Sequence, residues 1–140
     1  MSEDCIFCKI VRRQAPSSVV YEDEWIMAFM DIRPVSEGHT LVIPKKHFVD
    51  VFDTPNDELA AMYVLSKRIA LAVKKATGAD GITIVQQNGE AAGQDIFHIH
   101  VHIIPRFEGK KVPRFSDLEF ANRASLDSNA SKISKELSTL

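Results

Sequence analysis

Three of the five histidines in the sequence stand at alternating positions of one apolar stretch, FHIHVHIIPR, which occupies residues 97–106. Side chains two residues apart on a β-strand share a face, so His98, His100 and His102 are predicted to line one face of a strand. The intervening apolar residues would then face the hydrophobic core: Phe97, Ile99, Val101 and Ile103. Because solvent-facing strand positions usually carry Lys, Glu or Thr, the row of histidines indicates a functional site.

The spacing of the three histidines excludes one shared metal ion. Strand rise would separate the backbones of His98 and His102 by about 13 Å, whereas imidazoles bind a metal at about 2 Å. We therefore predict separate roles for them. Neutral imidazole is a competent nucleophile near pH 7, and a neighbouring imidazolium can neutralise phosphate or assist a leaving group. Gly89 and Gly93 in the preceding turn would let backbone N–H groups approach an anion, although turns also need glycine for conformational reasons.

Length, composition and charge predict one globular domain that binds a small ligand. A chain of 140 residues with 45% hydrophobic and 26% charged residues can bury one ordinary core. The formal net charge of -2 gives no electrostatic reason to expect nucleic acid as a partner. The sequence has no apolar run of membrane-spanning length and no signal-peptide pattern at its N-terminus. We therefore expect a cytoplasmic protein that does not contact membranes.

Strand-like segments outnumber helical ones. Those with the length and composition of strands are residues 19–21, 25–32, 40–43, 81–87 and 96–106, and the first two suggest a hairpin. Residues 7–14 predict one or two helical turns. Because a single long helix is inserted among strands, the order favours an antiparallel α+β fold over a parallel βαβ array.

The long helix is predicted to begin with Thr54 as N-cap, Pro55 at the first position and Asp57 in a capping box, and to stop at Gly78. Its apolar face is defined by spacings of three and four residues: Leu59, Met62, Leu65, Ile69 and Val73. We place the main domain at residues 1–110. Residues 111–140 form a polar C-terminal extension, expected to be loosely held, with a short helix near residues 131–137 that packs on the domain or on a partner.

Several motifs together resemble the histidine triad (HIT) superfamily of nucleotide hydrolases and transferases. FHIHVHII matches the family's His-x-His-x-His-apolar-apolar signature, and CIFCKI, VYEDEWIMAFMDIRP, GHTLVIPKKH and NGEAAGQDIFHIHVHIIPR follow in the family's order and spacing. The resemblance covers residues 5–106 approximately. It implies an α+β fold with a five-stranded antiparallel sheet, one long helix and a short N-terminal helix, in a homodimer whose two sheets join.

The resemblance also implies a mechanism and a set of site residues. His100 would attack the α-phosphorus of a nucleotide and form a nucleotidyl-histidine that water then hydrolyses, while His102 would contact the phosphate and the leaving group. Other positions matching substrate contacts of the family are Ile6, Phe7, Ile10, Phe29, Asp31, Ile32, His39, Gln87, Asn88, Gly93 and Gln94.

Two aspartates need separate treatment. In the family, the position of Asp31 accepts hydrogen bonds from the ribose, whereas an Asp between an apolar strand and Arg-Pro is by itself more typical of a turn. Asp95 stands where many members have a Ser or Thr that assists with phosphate. A carboxylate there would repel phosphate unless it pointed away or were protonated, so we leave Asp95 out of the predicted site.

Cys5 and Cys8 have the spacing of metal ligands but supply only two of four. In the zinc-bearing branch of the family, the positions of His47 and His98 complete a tetrahedral Cys2His2 site, which implies a structural zinc ion here. A redox-active pair is the alternative, although the motif lacks the preceding strand of a thioredoxin-like unit. Two unrelated buried thiols are a further alternative.

The expected activity is hydrolysis or nucleotidyl transfer at the α-phosphate, with a purine nucleotide as substrate. The resemblance leaves open whether the substrate is a nucleoside phosphoramidate or a dinucleoside polyphosphate, and Ile104-Pro105-Arg106 slightly favours the polyphosphate-cleaving and bacterial-type members. A nucleotide-binding or protein-interaction module with little turnover is an alternative function. A protein that uses its histidines only to bind several metal ions is another.

Overall fold

The computed structural model describes residues 4–140 and contains a five-stranded sheet with helices on both faces. All neighbouring strands are antiparallel, in the order β1-β2-β3-β5-β4. The elements are α1 (Ile6–Val11), β1 (Val19–Glu22), β2 (Ile26–Met30), β3 (Thr40–Pro44), α2 (Asn56–Thr77), β4 (Gly81–Gln86), β5 (Val101–Arg106) and α3 (Arg123–Ser138). This confirms the predicted antiparallel α+β fold, including the β1-β2 hairpin.

Alternation along β2 divides the core between the two faces of the sheet. Ile26, Ala28 and Met30 are buried in a cluster with side chains of α2 and α3. Met27 and Phe29 point to the opposite face, where they pack with Phe7, Ile10, Leu41 and Ile43. Since side chains of a strand alternate between faces, this fully buried strand serves two apolar layers, and α1 covers the smaller one.

The long helix ends where the sequence predicts and begins differently. Gly78 follows α2 with φ 72°, a left-handed conformation in which its N–H donates to the Lys74 carbonyl. At the other end, Thr54 is not the N-cap: Pro55 occupies that position, and the Thr54 hydroxyl donates to the Asp50 carbonyl instead. Across residues 4–140 no helix, α2 included, combines the length and apolar character needed to cross a membrane.

The strand predicted over residues 96–106 is shorter, because β5 begins only at Val101. Val101 pairs with Val42, and continuing that register would place His100 opposite Ile43 and Ile99 opposite Pro44. Proline has no N–H for the ladder, and the Pro44 carbonyl accepts a hydrogen bond from His98 Nε2 instead. The preceding residues leave the sheet, and Phe97, predicted to be a core residue, is 46% exposed.

The C-terminal extension contains a helix that packs on the domain and is longer than predicted. α3 has 16 residues and is capped by Asn122, whose side chain accepts from the Ser125 N–H. Its buried face joins the core cluster that α2 covers: Leu126, Ala130, Ile133 and Leu137. These residues recur at three- and four-residue intervals, a helical pattern that the polar composition of the segment obscured.

Candidate functional site

A pocket of about 560 Å³ opens on the face of the sheet that α1 covers. This volume is typical of small-molecule sites. Ten of the predicted substrate and catalytic residues line it: Ile6, Phe7, Ile10, Phe29, Asp31, Ile32, Gln87, Gly93, His100 and His102. α1 and β2 both supply apolar side chains to its lining, so the short N-terminal helix and the sheet together form the cavity.

Hydrogen bonding determines the tautomer of His100, a residue that lines the pocket. His100 Nδ1 lies 2.8 Å from the His98 carbonyl oxygen, which can only accept, so Nδ1 carries the proton. Nε2 of the neutral ring therefore has the free lone pair. The ring also packs edge-on against Phe7, with centroids 5.2 Å apart. Backbone and aromatic contacts thus hold the imidazole in the tautomer and orientation of a nucleophile.

His39 and His102 form a short relay that begins at a backbone N–H. Val35 donates to His39 Nδ1 at 3.0 Å, so the proton of a neutral His39 is on Nε2. Nε2 lies 3.0 Å from His102 Nδ1 and can donate to it. The proton of His102 is then on its own Nε2, which is buried and has no hydrogen-bond partner among the described residues. The relay therefore presents an N–H donor beside His100, whose ring centroid lies 4.8 Å from that of His102.

Burial keeps these imidazoles uncharged near neutral pH. It lowers the pKa of His39 to about 3 and that of His102 to about 4, and neighbouring imidazoles contribute in the same direction. The pKa of His100 is also lowered by burial, against the opposing effect of its bond to the His98 carbonyl. A low pKa favours the neutral ring, which is the nucleophilic form.

Asp31 lies in the pocket and also makes the turn that its sequence context suggested. Its Oδ1 accepts from the Arg33 backbone N–H at 2.9 Å, while Oδ2 lies 3.5 Å from His39 Nε2. Burial raises the pKa of Asp31 to about 6, and the charge of Asp95 adds to that rise. Because His39 is neutral, its contact with Asp31 is a polar contact rather than an ion pair.

The two cysteines lie with His47 and His98 in one compact cluster. Cys5 caps α1, Cys8 lies within it, His47 follows β3 and His98 precedes β5. The Sγ and Nδ1 atoms are separated by 3.4 Å for Cys5 and His98, 3.3 Å for Cys8 and His47, and 3.2 Å for the two imidazoles. All four ligand atoms lie within 4.8 Å of one another.

This geometry fits a tetrahedral zinc ion. Bond lengths of about 2.0 to 2.3 Å place neighbouring ligands about 3.3 to 3.8 Å apart, close to the separations found here. His98 donates from Nε2 to the Pro44 carbonyl at 2.8 Å, which leaves its Nδ1 lone pair directed at the cluster. Burial, with the adjacent Cys8 side chain, raises the pKa of Cys5, and a divalent cation would offset that cost by binding the thiolate.

Asp31, His39 and His102 also lie within metal-binding distance of one another. Their nitrogens are already engaged, however: both ring nitrogens of His39 take part in the relay, and so does Nδ1 of His102. A metal ion would have to break these hydrogen bonds. The Cys2His2 cluster is therefore the better candidate metal centre.

Three predicted substrate residues lie outside the pocket lining: His39, Asn88 and Gln94. Gln94 is buried, where Oε1 accepts from the Gly89 N–H and Nε2 donates to the Val49 carbonyl. Asn88 accepts from the Val51 N–H. These side chains support the loop that leads to the histidines.

Gly93 has a backbone conformation that favours glycine. Its φ is 94°, and a Cβ there would lie 2.5 Å from Gln87 Nε2. The turn thus needs glycine for its backbone conformation and for the close packing of a neighbouring pocket residue.

The pocket also contains residues that sequence reasoning missed. Asp95, which we excluded, lines it beside the histidines, and Arg33, Leu118 and Arg123 line it as well. Leu118 and Arg123 belong to the C-terminal extension, far from the motifs in sequence. No local pattern could have assigned them, because only the packing of α3 on the sheet brings them to the cavity.

Comparison with known proteins gives a consistent result. The HIT domain profile matches residues 12–109. Adenylylsulfatase HINT3 of Arabidopsis thaliana is 41% identical over 140 residues, which make up 100% of this chain and 67% of that protein.

Two solved structures are similar over nearly the whole chain. A hypothetical histidine triad nucleotide-binding protein from Sulfolobus tokodaii has a TM-score of 0.90 at 39% identity, with 97% of this chain and 93% of that chain covered. A zinc-bound histidine triad family protein from Mycobacterium smegmatis has a TM-score of 0.86 at 39% identity, with 97% and 94% covered.

Proposed function

Because the chain belongs to the HIT domain family, we propose that it is a nucleotide hydrolase or nucleotidyl transferase that cleaves at the α-phosphate. The observation that carries this proposal is the pairing of His100 Nε2, a free lone pair, with the unpartnered His102 Nε2–H in one pocket. A nucleophile and a hydrogen-bond donor side by side suit attack on phosphorus. The adenylylsulfatase activity in the name of one relative supports a hydrolase.

The proposed reaction has two displacements. His100 Nε2 forms a bond to the α-phosphorus, and the bond to the leaving group breaks with its electron pair departing on that group. His102 Nε2–H donates to a phosphate oxygen or the leaving group, while the His98 carbonyl holds the Nδ1 proton of the charged imidazole. Water then attacks phosphorus, releases the nucleotide and regenerates His100.

The nucleoside is proposed to occupy the apolar part of the pocket. Phe7 and Phe29, packed edge-on with centroids 5.4 Å apart, offer an aromatic wall for a purine. Asp31 Oδ2 is not used by the turn and would accept from the ribose hydroxyls. We propose that Asn88 and Gln94 act by holding the phosphate-side loop rather than through side-chain contacts with substrate.

We propose a structural zinc ion bound by Cys5, Cys8, His47 and His98. The four ligands come from the N-terminal helix, the segment after β3 and the segment before β5, so the ion would join elements that enclose the pocket. Zinc in a site with four protein ligands contributes folding free energy and has no open position for substrate. The chemistry at phosphorus is left to the neighbouring His100.

A homodimer is proposed through the β4 edge of the sheet. Among the described strands, β4 has no neighbour on its outer side, and it exposes Ile84 by 45%. α2 exposes Tyr63 and Val64 by 42% and 66%. Pairing of two β4 strands would satisfy edge hydrogen bonds and bury apolar side chains. We also propose a cytoplasmic location, where the thiols would remain reduced.

A substrate panel tests the proposed activity. AMP release from adenosine 5'-phosphoramidate and from diadenosine tetraphosphate would be measured with wild type and His100→Ala. We expect wild type to release AMP from at least one of them and to form an adenylylated protein in rapid-quench mass spectra, with the adduct on His100. Zinc content and melting temperature of the variant serve as folding controls. Wild-type turnover by His100→Ala, or no release from either substrate, would contradict the proposal.

A further inference from the structure

The pocket lining carries charges of both signs. Arg33 and Arg123 are the cationic residues among those lining it. Arg33 donates to the Leu118 carbonyl at 3.1 Å, and Arg123 donates to the Ser18 hydroxyl at 2.7 Å. Burial raises the pKa of Asp31 and Arg33 lowers it, so the charge of Arg33 reaches that part of the pocket, whereas Asp95 is the charged side chain that acts on His100 and His102.

Asp95 places a carboxylate on the histidine side. It lines the same pocket, and its charge raises the pKa of His100, His102 and Asp31, so it interacts with all three groups. The adjacent residue Gln94 is anchored by hydrogen bonds to Gly89, Val49 and Ile96. This anchored loop fixes the backbone beside Asp95, whose exposed side chain lines the pocket.

The two histidines of the relay do not neutralise this carboxylate. His39 accepts a hydrogen bond at Nδ1 and His102 accepts one at its own Nδ1, so both rings are neutral. Sites that bind phosphate chains usually supply Arg, Lys or divalent cations around the anionic oxygens. Here the charged side chain that acts on His100 is the carboxylate of Asp95, which would oppose a second anionic group on the substrate.

We propose that Asp95 selects substrates by the charge of the leaving group, favouring cationic over neutral and neutral over anionic groups. This inference rests on the proposed function, because it assigns the leaving group to the side of His100 and His102. For a phosphoramidate, the carboxylate would stabilise the substrate after solvent has protonated its bridging nitrogen. The bond from His100 Nε2 to phosphorus forms, the P–N bond breaks, and its electron pair departs with the amine as a neutral molecule.

Three adenosine 5'-phosphoramidates of nearly equal size test this selection: the N-(2-aminoethyl), N-propyl and N-carboxymethyl amides. Their leaving groups carry a positive, no additional and a negative charge. We expect wild-type kcat/KM to decrease in that order, by about tenfold from the first to the last, and the spread to shrink in high salt. In Asp95→Asn the three values should converge.

Glu90→Gln is the matched control, because Glu90 is an exposed carboxylate of the same loop that does not line the pocket. It should keep the wild-type order. An unchanged order in Asp95→Asn, or a wild-type order that is flat or reversed, would overturn the role of Asp95. If wild type cleaves none of the amides and does not cleave diadenosine tetraphosphate, the proposed function itself fails.

Discussion

Two neighbouring clusters of buried side chains use histidine differently. One includes His98, in the segment before β5, and the other includes His102 of β5. In the Cys2His2 cluster, ligand atoms of Cys5, Cys8, His47 and His98 converge on one point. In the relay of His39 and His102, each ring nitrogen that accepts is matched to an N–H that donates. The first arrangement leaves lone pairs for a cation, whereas the second uses them internally.

The two clusters differ because the histidine rings have different backbone hydrogen-bond partners. Backbone carbonyls accept hydrogen bonds from His98 Nε2 and from His100 Nδ1. The nitrogen with a free lone pair is therefore Nδ1 in His98 and Nε2 in His100. In His39 the Nδ1 lone pair accepts a hydrogen bond from the Val35 backbone N–H, so the ring proton is on Nε2. Under the proposed function, these backbone hydrogen bonds would suit His98 to metal binding, His100 to nucleophilic attack and His39 to proton positioning.

The largest expected effect is the loss of activity in a variant of His100 that keeps the metal cluster intact. His100→Ala should lower kcat/KM by about 10,000-fold, equivalent to about 5 kcal/mol of transition-state stabilisation, because no other group replaces the nucleophile. Steady-state AMP release measures the loss. Zinc content by elemental analysis should stay at the wild-type value. A variant that lost zinc together with activity would show that the two clusters are not independent.

Removing the metal should affect stability more than chemistry. With free zinc at about 1,000 times its Kd, binding adds about 4 kcal/mol to the free energy of unfolding. Cys8→Ser should abolish this contribution, as measured by urea unfolding with and without zinc. Chelation should destabilise wild type and leave the variant unchanged. Equal chelator sensitivity of both proteins would argue against the Cys2His2 site.

Asp31 adjoins the relay, and its pKa predicts a pH-dependent stability. With a pKa of about 6 in the folded chain and 3.8 for the unperturbed group, the folded state binds the proton more tightly. Stability is therefore fully present below pH 3.8 and decreases as pH rises through 6, by about 3 kcal/mol. Asp31→Asn removes the ionisable group and with it this decrease in the free energy of unfolding, so the variant should be more stable than wild type at pH 8. The variant should also bind AMP more weakly.

The same variant provides its own control for that titration. Below pH 3.8 the Asp31 carboxyl is protonated in both folded and unfolded wild type, so its contribution no longer depends on pH. Urea unfolding across pH 4 to 8 should show the stability difference between variant and wild type growing with pH. A difference that stays constant over this range would contradict a raised pKa at Asp31.

The smallest predicted effect tests the relay. His39→Asn keeps an acceptor for the Val35 N–H but removes the donor to His102, and kcat should fall by about 30-fold, equivalent to about 2 kcal/mol. His39→Gln restores an N–H near the position of Nε2 and should lose less. Equal kcat values in the two variants would show that the donor to His102 does not matter.

Sequence patterning predicted most elements but not where pairing stops. The segments of β1 to β4 and the end of α2 at Gly78 lie where local patterns place them. The N-cap at Thr54 was wrong because α2 begins one residue later, with Pro55 in that position, while the Thr54 hydroxyl donates to the Asp50 carbonyl of the preceding loop. The early half of the last strand was wrong because its would-be partner, Pro44, cannot donate to a ladder.

The candidate site was predicted where residues form a motif and missed where distant segments converge. The alternating histidines and the cysteine pair were visible as local patterns. Arg123 was not, because α3 brings it to the pocket from a polar segment whose apolar face is evident only once packed. Asp95 was discounted for its charge, although the structure places it in the pocket lining.

The sequence by itself determined the burial of Ile99, Val101 and Ile103 between the histidines and the positions of the turn glycines, because each depends on local backbone geometry. Only the tertiary structure decided which lone pair each imidazole presents and which charges surround it. Tautomer and electrostatic environment depend on the backbone groups and side chains that meet each ring from elsewhere in the chain. Those partners, from Val35 to Arg123, are brought together by packing of the helices on the sheet.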